Sequence, residues 1–175
     1  RIRSCALDEC IARGKEAIGW GEIDQPEADH LHRGVGVALT AQGSGVAGDE
    51  LGAAHIKMNE DGSFILQTGA VDTGPGADTA MSQIAAEMLG VRPEDIVVQP
   101  SDTDVSPFDY GAYASSTTYV TGHAVKKAAR EAREDVLRFA SKLLEEPANQ
   151  LEVADGRVES AATGESVTLE EVGYE

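Results

Sequence analysis

From Tyr113 to about Glu145 the sequence reads as one long amphipathic helix, with Val125, Ala128, Ala132, Val136, Ala140 and Leu143 along one side and Pro147 beyond its end. At the usual rise per residue such a helix runs roughly 50 Å. A chain of 175 residues with 41% hydrophobic content holds one core of ordinary size, so this helix has to form a main layer against which the other elements pack.

Those elements are short. Leu51 to Met58 reads as a strand, Asn59-Glu60-Asp61-Gly62 as a hairpin turn, and Phe64 to Thr68 as the returning strand, because Asp-Gly readily takes positive φ. Gly34 to Ala41 reads as a further, buried strand. A helix over 78–89 places Met81, Ile84, Ala85, Met88 and Leu89 on one face, and Gly90 and Pro93 stop it. Ile96 to Gln99 is a short strand and 101–112 a long loop, and Leu151 to Ser160 forms a second hairpin around Asp155-Gly156. At the other end, 4–18 carries an incomplete helical stripe ending before Gly19, and 21–32 is a polar linker containing Pro26. The expected class is α+β, a short mixed or antiparallel sheet packed with one medium and one long helix. Residues 1–32 are read as a helix and linker, and 33–175 as the domain proper.

The net charge of −17, from 31 acidic against 14 basic residues, argues against phosphate-driven binding of nucleic acid. It fits a solvated acidic face or a salt-adapted surface. No apolar run reaches membrane-spanning length, and no signal-peptide pattern is present, so the expected setting is cytoplasmic and free of the membrane. Cys5 and Cys10 match neither a redox pair nor a zinc site, and His30 and His32, the two histidines close in sequence, lack a metal-binding pattern.

Three glycine-containing segments bear on function. Gly43-Ser44-Gly45-Val46-Ala47-Gly48 matches the dinucleotide fingerprint in letters only, since Asp49-Glu50 and a strand follow where a helix would have to open. The segment Val71-Asp72-Thr73-Gly74-Pro75-Gly76 leads into a helix, whose N-terminus could receive an anion or could be a structural turn capped by Asp78. Gly111 to Thr118 sets four consecutive hydroxyl residues at the start of the long helix, where they are poor helix formers and good ligand donors. Two starts of the same kind could grip one extended polar ligand, or could both be caps.

The stretches GAVDTGPGADTAMSQIAAEMLGV and SDTDVSPFDYGAYASSTTYVTGHAVKKAA, with GVGVALTAQGSG and the AAHIKMNEDGSF hairpin, resemble the second molybdenum-cofactor-binding region of the xanthine dehydrogenase and aldehyde oxidase family. The likeness runs from about Arg33 to Ala129. It implies a fragment of a larger molybdopterin-binding domain in an enzyme that hydroxylates carbon with oxygen from water. On this resemblance Thr73, Gly74, Pro75 and Gly76 lie along the pterin, Ala112, Tyr113 and Ala114 approach the molybdenum, and Ser115, Ser116 and Thr117 bond the pterin. Pro75 departs from the glutamine frequent in the family and removes both an amide side chain and a backbone donor.

The family's glutamate base would lie beyond Glu175 and its other cofactor segments before Arg1. No catalytic residue is therefore expected here, and the segment alone is expected to be inactive. The implied partners are the remainder of the large subunit, iron–sulfur and flavin (FAD) subunits or domains, and a small-molecule substrate; a homo-oligomer stays open. The GAYASSTT form is most like purine-type dehydrogenases, which points to xanthine or hypoxanthine, with aldehyde, nicotinate and aromatic thioester substrates as alternatives. Outside the family, the competing readings are a non-catalytic small-molecule-binding module and a purely structural one.

Overall fold

A computed structural model describes residues 5–40, 48, 50–99 and 101–174. The chain divides into two compact units, 1–42 and 43–175. In the first, α1 spans Leu7–Ala17, buries none of its residues and carries an Arg13–Glu9 ion pair one turn apart. Gly19 stops it at φ 61°, as its place in the sequence suggests. Cys10 lies in α1 and Cys5 just before it, both free and exposed. The strand expected over 34–41 is not formed at 34–40, which are exposed and in no regular element. Val35, Val37 and Leu39 have the apolar character of a strand, but among the described residues of their unit no strand pairs with them, and an unpaired segment cannot bury its backbone. The Gly43–Ala47 part of the fingerprint-like loop lies outside the described residues.

The second unit holds two three-stranded sheets. In the first, β1 (Ala54–Met58) pairs antiparallel with β2 (Phe64–Thr68), Met58 opposite Phe64. Gly62 turns the hairpin at φ 81°, and Asp61 accepts from the Ser63 amide at 3.0 Å. From β2 the chain crosses through α2 (Ala77–Leu89) and a 3-10 turn at Pro93–Asp95 to β3 (Ile96–Gln99), which pairs parallel with β2. The sheet is thus mixed, order β1-β2-β3. The second sheet is antiparallel, β4 (Leu151–Ala154), β5 (Arg157–Ser160) and β6 (Ser166–Thr168), and its first hairpin turns with Asp155 at φ 50° and Gly156 at φ 76°, the pair of positive values a two-residue turn needs.

The long helix, α3, spans Thr117–Leu143 and so begins four residues later than its apolar pattern suggests. Ala114 and Ser115 sit at φ 51° and 58°, which is incompatible with a right-handed helix. Its packed face holds Val125, Val136 and Ala140 as expected, but also Thr121, Gly122 and Ala129, while Leu143 is 37% exposed. Against this face lie Met81, Ala85 and Leu89 of α2 and Phe64 and Leu66 of β2, one continuous core. β6 and the short α4 (Leu169–Gly173) went unread in the sequence, although Thr168 and Glu171 form a capping box there, the T-x-x-E pattern of a helix start.

Candidate functional site

Because β2 and β3 run parallel, the loops that leave them leave the same edge of the sheet. Residues 69–76 lead from β2 into α2, and 101–116 lead from β3 into α3. The carboxyl edge of parallel strands is where open α/β sheets present loops to ligands. Ser101 ties the two loops, donating from Oγ to the carbonyl of Ala70 at 2.7 Å. Gly69 lets them touch, since a Cβ there would lie 2.5 Å from the Pro107 carbonyl and 2.7 Å from Asp109 Cβ. Further along, Gly122 of α3 accepts the Ile84 side chain of α2, with Ile84 Cδ1 3.0 Å from where a Cβ would stand.

The first loop is organised by Asp72. Its Oδ1 accepts from the Gly74 amide at 2.8 Å and the Gly76 amide at 3.1 Å. Hydrogen bonding from the Gly74 amide, and less from those of Gly76, Asp78 and Ala77, holds the carboxyl below its ordinary range. Asp78 makes no cap on α2, so the capping role read for it belongs to Asp72, six residues earlier. Proximity in sequence to the helix start favoured Asp78, but the left-handed Gly74 (φ 120°) and Gly76 (φ 85°) fold the loop back over Asp72. Two of the amides expected to face a ligand are thus already paired, and Pro75 offers none. Both glycines nevertheless stay open, with no atom within 4 Å of a built Cβ.

The second loop is organised by Asp109. Oδ1 accepts from the Gly111 amide at 2.8 Å, and Oδ2 from the Thr121 hydroxyl at 2.6 Å. Gly111 (φ 108°), Ala114 and Ser115 all lie in the left-handed region, an unusual density of positive φ for a segment with so few glycines. Ser116 is 3% exposed and returns its hydroxyl to the Tyr113 carbonyl at 2.8 Å. Ser115 is exposed and Thr117 half-buried. The amides of Ala112, Ala114 and Ser115 find no acceptor among the described residues. Tyr113 reaches Glu50, its hydroxyl donating to Oε1 at 3.4 Å, and loss of solvent followed by the Glu50 charge raises the phenol's pKa. No carboxylate occurs between Tyr110 and Arg130.

The donor set is therefore open backbone, unpaired amides and hydroxyls, with no group of three His, Cys, Asp or Glu fit for a metal ion among the described residues. Such a set suits a polar organic cofactor that brings its own ligands to a metal. Residues 13–175 match the family described as molybdopterin cofactor-binding domain. The chain belongs to this family. It is 39% identical over 162 residues to "Probable hypoxanthine oxidase XdhD" of Escherichia coli K12, covering 93% of this chain and 17% of that protein. It is 38% identical over 164 residues to the xanthine dehydrogenase molybdenum-binding subunit of Escherichia coli O157:H7, covering 90% of this chain and 22% of that protein. The crystal structure of quinoline 2-oxidoreductase from Pseudomonas putida 86 superposes with a TM-score of 0.65 at 30% identity, over 71% of this chain and 16% of that one. This molybdopterin cofactor-binding domain is thus a segment of a xanthine dehydrogenase-family large subunit and spans about a fifth of the length of such relatives.

Ser101, Asp109 and Thr121 were not read from the sequence, and Asp72 and Glu50 were read only as carboxylates unfavourable to a phosphate, not as hydrogen-bond acceptors that organise loops. The signal for two of them is Asp-x-Gly, which occurs at 72–74 and 109–111 and marks an Asx turn in each case. Among the described residues, no helix is long and apolar enough to cross a membrane.

Proposed function

We propose that residues 33–175 supply two of the segments that hold molybdopterin in a molybdenum hydroxylase large subunit, with residues 1–32 as a helix and linker. The observation that carries this reading is the shared carboxyl edge of β2 and β3, from which both ligand-gripping loops emerge tied by Ser101. Thr73, Gly74, Pro75 and Gly76 lie along the pterin by open backbone, not by amide donation from Gly74 and Gly76. Ser115 and Thr117 donate hydroxyls, and Ala112, Tyr113 and Ala114 approach the reacting end. Ser116, paired internally, shapes the turn and retains only acceptor capacity. When bound, the cofactor supplies hydroxylation of a carbon with oxygen drawn from water.

The purine-type relative supports xanthine- or hypoxanthine-like substrates. A relative that is itself a molybdenum-binding subunit supports partner subunits; the further proposal is that iron–sulfur clusters and FAD sit on such partners or on other domains, in a cytoplasmic enzyme. In the full-length protein, Ser115→Ala with Thr117→Ala should lower molybdenum occupancy, because each lost donor leaves a cofactor polar group unpaired at about 1–3 kcal/mol. Unchanged molybdenum content and turnover in that double variant would remove these hydroxyls from the site.

A further inference from the structure

Outside its packed face, α3 carries a second stripe. Tyr119, His123, Lys126, Arg130, Arg133 and Leu137 recur at spacings of four and three, so they share one side of the helix over roughly five turns. Tyr119 is 69% exposed, His123, Lys126 and Arg130 are exposed, and Arg133 and Leu137 are half-buried. The stripe holds no carboxylate, in a chain with 31 acidic residues. Among the described residues Lys126, Arg130 and Arg133 form no ion pair, and the ion pair of α3 is Arg138 with Asp135. Beside the start of the stripe, α2 and α3 leave a crevice of about 460 Å³, lined by Ile84 and Gly122 together with Tyr119, His123 and Lys126. The rings of Tyr119 and His123 meet edge to face there, with centroids 5.2 Å apart. At one end the crevice reaches Ser115 of the loop before the helix.

Three cations strung along a helix, with an apolar side chain at each end, do not converge on a point as the donors of a phosphate site do. They match carboxylates at the same spacing on a second helix, one apolar side chain of which enters the crevice. A net charge of −17 opposes a nucleic acid in that place. We propose that the stripe and crevice dock an acidic amphipathic helix from the remainder of the large subunit. This rests on the proposed reading of the chain as one part of such a subunit. Two observations favour that source over a partner subunit. The chain covers only 17% and 22% of the two Escherichia coli relatives, so most of such a subunit lies elsewhere in its sequence. The crevice also ends at Ser115, where the other cofactor-holding segments have to arrive on that reading.

The test uses the full-length protein with its partner subunits. Lysine acetylation is followed residue by residue by mass spectrometry, and a carbodiimide, which joins an amine to a carboxylate in contact with it, reports the partner. Lys126 should be acetylated severalfold more slowly in the native than in the denatured protein, and should cross-link to a carboxylate of the same chain outside residues 1–175. Lys126→Glu with Arg130→Glu should lower Tm, more so at low salt than at high, while Lys142→Glu, off the stripe, changes it little. Lys126 reacting at its denatured rate in a molybdenum-loaded enzyme would overturn the docking and leave the cofactor reading standing. A cross-link to a carboxylate within residues 1–175, to a partner subunit, or to a second copy marked by isotope labelling would overturn it as well. So would protection of Lys126 without a cross-link to any carboxylate, or an equal loss of Tm in the two variants. A wild-type protein that shows the expected cross-link but holds no molybdenum would sink the cofactor reading alone.

Discussion

Thr121, 1% exposed in the second turn of α3, donates its hydroxyl to Asp109 Oδ2 at 2.6 Å and so fastens the loop before the helix to the helix itself. The same threonine abuts Gly52, where a built Cβ would stand 2.8 Å from Thr121 Cα and 2.9 Å from its Oγ1. One side chain thereby sets the approach of the segment before β1 and the seat of the loop carrying Tyr113. Thr121→Val keeps the shape and removes the donor, leaving Asp109 short of a partner. The expected loss is about 1–3 kcal/mol, read from urea denaturation, against a much smaller change for Thr163→Val on the exposed loop before β6.

Asp72 makes stability depend on pH. Its carboxyl is held below the ordinary range by the amides of the α2 entry, chiefly that of Gly74. A depressed carboxyl contributes stability that is complete above its unfolded pKa and disappears as pH falls through the folded value. Asp72→Ala should therefore lower Tm at neutral pH, and the gap from wild type should close progressively in acid. A gap that stays constant to the acid limit would show that the carboxylate charge does not matter to the loop.

Gly76 and Gly164 have similar backbones, φ 85° and 74°, and neither has an atom within 4 Å of a built Cβ. Valine at either position should strain the chain alike. In the full-length protein Gly76→Val should reduce molybdenum content severalfold while Gly164→Val leaves it near wild type, because only the first side chain would stand where the cofactor approaches the backbone. Equal content in the two variants would make the 73–76 loop a structural turn alone.

Gly90 ends α2 at φ 77°, with a built Cβ only 2.3 Å from the Val153 carbonyl oxygen of β4. Gly90→Ala should cost roughly 1–2 kcal/mol for the left-handed backbone and about 1–3 kcal/mol more for the overlap. A lowered denaturation midpoint in urea checks it.

The local features of the fold were legible because local chemistry produces them. Asp61-Gly62 and Asp155-Gly156 name their turns, Phe64–Thr68 and Ile96–Gln99 are strands over the residues read, and Gly90 caps α2. What failed depends on partners distant in sequence. Residues 34–40 look like a strand but pair with no strand among the described residues of their unit; a mixed sheet was expected, but that β3 is its parallel member is set by how α2 packs, not by its own four residues. The start of α3 was placed too early because nothing in the residue types of Ala114 and Ser115 announces the positive φ that keeps them out of the helix. At the site, the hydroxyl-rich helix start and the glycine loop stood out by composition. Asp109 did not, since in a chain with 31 acidic residues it looks like one more solvated charge, and Asp72 stood out only as a charge that would repel an anion, not as the acceptor that folds its loop.

The parallel pairing of β2 with β3 also dictates an order of events. A hairpin can close from its turn, but these two strands meet only after the whole α2 crossover has been laid down and packed. Until then the segments after Thr68 and after Gln99 have no common geometry, and the Ser101 to Ala70 bond that joins them cannot exist. On the proposed reading, in which both loops hold the cofactor, its incorporation follows this step, the half-made chain does not capture it, and a bound cofactor certifies that the crossover has closed correctly.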